Sequence, residues 1–165
     1  MAIRPILHYP HPTLKTDSAA CLPTDPATQT VAQDLLDTLA ASPGVALAAP
    51  QICYALRVIV VDVSRKKGET GHGLIVMVNP VILALEGRKI LREGCLSVPD
   101  YTGNVLRYEQ AVVEGLALDG RIVTLTTSGF EALAFQHEVD HLNGLLFLDH
   151  IQSLSTDLFR RKAQG

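Results

Sequence analysis

A chain of 165 residues, 47% of them hydrophobic and 19% charged, has apolar material for one folded core and little room for a second, which excludes intrinsic disorder. Its formal net charge of -3 lacks the basic surplus that phosphate-dominated DNA or RNA binding needs. Apolar runs such as 58–61 and 74–78 fall far short of the roughly 20 residues that span a bilayer, so no membrane segment is expected.

Residues 1–24 are punctuated by Pro5, Pro10, Pro12 and Pro23 and predict an extended arm laid over the domain. They hold no long apolar stretch before the prolines and no Arg- and Ser-rich amphipathic leader. Cys21, Cys53 and Cys95 are odd in number and show no CxxC spacing, so a disulfide framework is not expected. A reduced, cytoplasmic protein is the expectation. Thr24 or Asp25 before Pro26 is a helix-start signal, and Val31, Leu35, Leu36 and Leu39 follow at helical spacing. This predicts a helix over about 26–41, stopped by Ser42-Pro43-Gly44.

A strand-rich middle follows. The β-branched runs 57–63 and 73–79 read as strands, and 81–85 and 88–91 read as two more around a Glu86-Gly87 turn. Segments 110–118 and 121–127 bracket Asp119-Gly120, a strong hairpin signal. The period then changes: Phe130, Leu133, Ala134, His137 and His141 form one stripe of a helix that Gly144 closes. A short terminal helix is expected over about 154–163. The expected class is α+β, short antiparallel or mixed sheets packed around this late helix, with residues 1–165 as a single domain.

The late helix carries Gln136-His137-Glu138-Val139-Asp140-His141. Histidines four apart share a helix face and can reach one metal ion, while the Glu between them can hold its water; this is the logic of HExxH. A catalytic site of this kind normally has three protein ligands plus water. Position 147 is Phe rather than a third His, and no Glu follows Glu138. Asp149 and Asp157 are weak candidates, and Cys95, in Glu93-Gly94-Cys95-Leu96-Ser97, is the best one. Cys21 and Cys53 read as ordinary buried cysteines, and His8, His11, His72 and His150, which lack partners at metal-ligand spacing, as surface or loop residues. Arg107 is a candidate to brace the Cys95 segment through a carboxylate. A third segment, Gly44-Val45-Ala46-Leu47-Ala48-Ala49-Pro50-Gln51, is rich in small residues that admit a close backbone approach, with Gln51 adding an amide donor.

Together the three segments resemble peptide deformylases, which carry Gly-x-Gly-Leu-Ala-Ala-x-Gln, Glu-Gly-Cys-Leu-Ser and Gln-His-Glu-x-Asp-His in this order. The likeness extends from Ile6-Leu7-His8-Tyr9-Pro10 to His141-Leu142-Asn143-Gly144. It implies a hydrolase that removes the N-formyl group from the N-terminal methionine of newly made polypeptides by attack of a metal-bound water. By the same resemblance Cys95, His137 and His141 are the metal ligands, for Fe(II) natively and for Zn(II), Ni(II) or Co(II) as substitutes. Glu138 is then the general base and acid, and Gln51 with the Leu96 backbone N–H forms the oxyanion hole. Val45, Ala46, Leu91, Phe130 and Leu133 fall where the substrate binds. The family's second glycine is Ala46 here; a positive φ at that position would cost an alanine about 1–2 kcal/mol. The alternatives are a zincin-type peptidase, an idle paralogue that binds N-termini, and a purely structural metal site, which normally takes four protein ligands. Arg65-Lys66-Lys67 reads as a solvated loop tip or a point of transient ribosome contact.

Overall fold

The computed structural model describes residues 2–161, and within them the α+β class holds. Helix α1 spans Pro26–Ala40, and strands β1 (Ala46–Ala48) and β2 (Val58–Val61) follow. Two long strands come next, β3 (Ile75–Cys95) and β4 (Val98–Leu116), then β5 (Ile122–Ser128) and helix α2 (Gly129–Leu142). The strands form a sheet in the order β1-β2-β3-β4-β5, every ladder antiparallel. The Asp119-Gly120 hairpin forms as expected, with Ala117 N–H donating to the Arg121 carbonyl at 2.9 Å.

Strand β2 explains where the core sits. All four of its residues are buried, as a continuous apolar run requires when both faces are covered. Ile59 and Val61 pack with Phe135 and Leu142 of α2, while Val58 and Val60 pack with Val31, Leu35 and Leu39 of α1. A third cluster, Val98, Val105, Leu146 and Phe147, closes the end of the β3–β4 hairpin nearest Cys95. The N-terminal arm does lie over the domain: Leu7 N–H donates to the Gln51 carbonyl at 2.7 Å, Tyr9 N–H to Ser97 at 2.8 Å and Ser18 N–H to Leu142 at 2.8 Å. No helix among the described residues is long and apolar enough to cross a membrane.

Two expectations are corrected. The runs 73–79, 81–85 and 88–91 are one strand, because pairing with β4 continues through Glu86↔Gln110 and Arg88↔Tyr108. Gly87 meets its φ of +78° inside the ladder rather than in a turn, and Asn79-Pro80 is absorbed by a register shift between Val78 and Val81. At the C-terminal end, the helix α3 is limited to Leu154–Asp157. The chain then becomes strand β6 (Leu158–Arg160), which pairs with Tyr101, Thr102 and Gly103 of β4. An open sheet edge and the apolar contact of Leu158 with the third cluster override the local helical pattern. Residues 162–163 of the expected helix lie outside the described residues.

Candidate active site

Helix α2 is buried nearly all round, so residues that a surface helix would give to solvent point into protein. Gly144, with φ +73°, ends it tightly against the N-terminal arm; a Cβ there would meet the Lys15 backbone at 2.9 Å. The 3.6-residue period brings the Nε2 atoms of His137 and His141 to 3.1 Å. From β3, just after a register shift between Gly94 and Cys95, the Cys95 Sγ comes to 3.4 Å from His141 Nε2. The three side chains offer one sulfur and two ring nitrogens within 4.8 Å of one another. Ser97 N–H donates to the same sulfur at 3.4 Å, and Gln51 Nε2 lies 3.7 Å from it.

Gln51 is fixed from both ends. Its Oε1 accepts from Ala48 N–H at 3.0 Å and its Nε2 donates to Ser97 Oγ at 3.1 Å. Beside this cluster opens a cavity of about 610 Å³, whose wall includes Gly44, Val45, Ala46, Phe130, Leu133 and Glu138. At Gly44 a side chain would crowd the wall: a Cβ would stand 2.7 Å from Leu96 Cδ1. Ala46 has no positive φ and lies in β1 opposite Val61, so the backbone strain considered for it does not arise.

A buried charge network backs the cluster. Glu93, two residues before Cys95 on β3, holds His137 Nδ1, leaving Nε2 for the cluster. Arg107 of β4 donates to both Glu93 oxygens at 2.9 and 2.8 Å and to Asp140 Oδ2 at 2.7 Å, and His150 Nε2 meets that same oxygen at 2.9 Å. Burial would raise the Glu93 carboxyl, but His137 and Arg107 hold it at about 2. Burial also opposes charge on His137, yet Cys95, Glu93 and Glu138 together raise it well above the ordinary histidine value. His141 moves the other way, kept neutral by burial and by His137. Burial pushes Glu138 up to about 7, and neither its Oε1 nor His141 Nδ1 has a hydrogen-bond partner among the described residues.

Of the residues singled out from sequence, Cys95, His137, His141, Glu138, Gln51, Leu96, Val45, Ala46, Phe130 and Leu133 converge on this one cavity or its wall. Leu91 is not among the residues that line it. Asp149 is committed elsewhere, accepting from Leu146 N–H and Lys15, and Asp157 is no member of the cluster. His72 and His150, read as surface or loop residues, each meet a carboxylate: His72 that of Glu131 at 2.5 Å, and His150 that of Asp140 at 2.9 Å. Cys53 is exposed, not buried, and takes φ +72° at the end of the turn that carries Gln51. Glu93 was missed as a partner of His137, although its i, i+2 spacing from Cys95 signals a shared face.

A family model described as polypeptide deformylase matches residues 3–157. The chain is 42% identical over 162 residues to a peptide deformylase of Syntrophobacter fumaroxidans, covering 98% of this chain and 94% of the relative. Among solved structures, it is similar to a peptide deformylase from Legionella pneumophila, with TM-score 0.84 and 40% identity over 93% of this chain and 88% of the other. A Met-Ala-Ser bound class I type b peptide deformylase from Acinetobacter baumannii aligns with TM-score 0.83 and 35% identity, covering 91% of this chain and 99% of that one.

Proposed function

Because this chain belongs to the polypeptide deformylase family, hydrolases that deformylate nascent polypeptides, we propose that Cys95, His137 and His141 hold its catalytic metal and that Glu138 moves the proton. The observation that carries this assignment is the convergence of a sulfur and two ring nitrogens beside a buried carboxylate oxygen that has no partner among the described residues. The donor set fits a metal: Glu93 fixes the His137 ring from behind, as metal-bound histidines require. A divalent ion there supplies a Lewis-acid centre that brings the pKa of a coordinated water near 7, and its charge favours the Glu138 carboxylate. A thiolate with two imidazoles accepts Zn(II), Ni(II) or Co(II) as well as Fe(II), and Fe(II) is the native ion in this proposal.

The remaining chemistry rests on the chain's own groups. Glu138 accepts a proton from the attacking water as its oxygen bonds to the formyl carbon. It then returns the proton to the departing amine nitrogen as the C–N bond breaks, releasing formate. The Gln51 Nε2–H and the Leu96 backbone N–H stabilise the charge that develops on the formyl oxygen; loss of one such donor costs about 2.7–4 kcal/mol. The methionine side chain lies against Val45, Ala46, Phe130 and Leu133, a reading supported by the Met-Ala-Ser bound relative. The Ala46 methyl narrows the groove without straining the backbone, so Ala46→Gly raises kcat/KM on formyl-Met peptides; unchanged kinetics count against the narrowing.

The chain acts as a single catalytic domain over residues 1–165 in the cytoplasm. Its partners are N-formylmethionyl nascent chains and, transiently, the ribosome, through the exposed Arg65-Lys66-Lys67 run. Neither DNA nor a membrane is a partner. A Glu138→Ala variant tests the central roles. It is expected to keep one equivalent of metal and to lose turnover by at least a hundredfold; turnover near the parent rate would remove Glu138 from the mechanism.

A further inference from the structure

The mouth of the cavity carries charge that the reaction at its floor does not use. Arg65 and Lys66 stand on the side formed by 42–46, and Arg92 and Arg161 on the side formed by 92–100; all four are exposed. Each of three is held by neutral partners. Arg65 donates to the Gly44 and Ser42 carbonyls at 2.9 and 2.8 Å, and Lys66 Nζ sits 4.1 Å from the Phe130 ring centre. The Arg92 guanidinium stacks 3.5 Å over Phe159 and donates to Asn104 at 3.2 Å. Arg161 is placed by its own N–H on the Asp100 carbonyl at 2.7 Å, and its guanidinium lies so close to Gly94 that a Cβ there would meet it at 2.5 Å.

Such partners position a cation without neutralising it. By contrast Arg4, Lys15, Lys89, Arg107 and Arg121 all sit in ion pairs. The carboxylates in the cavity wall are Glu93, committed to Arg107 and His137, and Glu138 at the floor. A chain of net charge -3 therefore presents an uncompensated basic mouth on both sides of one opening. Glycine at 94 is what leaves room for Arg161 there.

We propose that Arg92 and Arg161, with Arg65 and Lys66 opposite, select substrates that carry acidic residues at the second and third positions after the formyl-methionine. The inference rests on the deformylase reading, since it takes the chain entering this cavity to be a formylated N-terminus. A peptide occupant is favoured over RNA because Arg65 and Arg161 turn inward, onto the Ser42 and Gly44 carbonyls and Gly94 at the cavity wall.

The test compares formyl-Met-Ala-Glu-Glu amide with its Gln-Gln and Lys-Lys counterparts on the Ni(II)-loaded protein. Amidation removes the terminal carboxylate as a source of charge. The Glu peptide is expected to exceed the Gln peptide in kcat/KM by about 3- to 10-fold at low salt, through KM, as two or more exposed ion pairs would give. The ratio should fall to near one at about 1 M salt, where the screening length is about 3 Å, and in Arg92→Gln/Arg161→Gln. Fluorescence anisotropy of labelled Met-Ala-Glu-Glu and Met-Ala-Gln-Gln amides reads the same preference without turnover. If no formyl peptide is hydrolysed, the deformylase reading fails while anisotropy still decides the charge preference. Equal affinities for the acidic and neutral peptides overturn the proposal. So does a preference that survives in the double variant, or a variant that loses only ribosome co-sedimentation.

Discussion

Replacing Arg107 by Leu removes the one cation that holds two carboxylates behind the site. Arg107 is 4% exposed and Glu93 5%, and the three N–H···O contacts between Arg107 and its partners measure 2.7–2.9 Å. The loss strands Glu93 with only His137 and leaves Asp140 with only His150 among their side-chain partners. Removing one partner of a buried pair costs about 3–5 kcal/mol, because the remaining charge has no compensation, whereas an exposed pair is worth about 0.2–1 kcal/mol. For a domain of this size each kcal/mol moves Tm by about 2–4 °C, so a fall of about 6–20 °C is expected. Thermal and urea unfolding followed by far-UV circular dichroism, with the metal loaded in both proteins, measure it. A loss below about 1 kcal/mol would show that the network behaves as a solvated pair and that the burial argument is wrong.

Glu93→Gln keeps the shape but weakens the grip on His137 Nδ1, so metal affinity should drop about 10- to 100-fold in chelator competition; equal affinity would deny Glu93 that role. Burial pushes the Glu131 carboxyl up, but the His72 N–H at 2.6 Å, the Thr127 hydroxyl at 2.7 Å and the His72 ring outweigh it and hold it below its usual value. A carboxylate so lowered stabilises the fold fully above the unfolded value near 4.5, and that contribution is lost as pH falls through the lower folded value. Glu131→Gln should therefore be less stable than the parent at pH 7, with the gap closing as pH drops below about 4.5 in urea titrations; a gap independent of pH would contradict this. Gln51→Leu removes one donor facing the cavity and should lower kcat by about 10²–10³ with metal retained; an unchanged kcat would place the oxyanion elsewhere.

The parts of this fold that were legible in the sequence are those set by local period. Helix α1 and the His137–His141 face follow from 3.6-residue spacing, and the β4–β5 hairpin from Asp119-Gly120. Strand β3 was not legible as one element, because Pro80 and Gly87 are ordinarily punctuation and only pairing with β4 carries the chain through them. The same is true of β6, whose partner edge lies more than 50 residues upstream in sequence. Cys95 could be named beside the two histidines, but the Glu93–Arg107–Asp140 network depends on β4 bringing Arg107 to Glu93 across 14 residues, a distance no local pattern encodes. The contact of His72 with Glu131, 59 residues apart in the chain, was hidden for the same reason.

The most direct measurement is hydrolysis of a formyl-Met tripeptide by protein prepared anaerobically and reloaded with Ni(II), beside the same peptide carrying an acetyl group. Turnover of the formyl peptide, with the acetyl peptide left intact, is the predicted result. No turnover of the formyl peptide by protein that holds one equivalent of metal would contradict the assignment of Cys95, His137, His141 and Glu138 to deformylation.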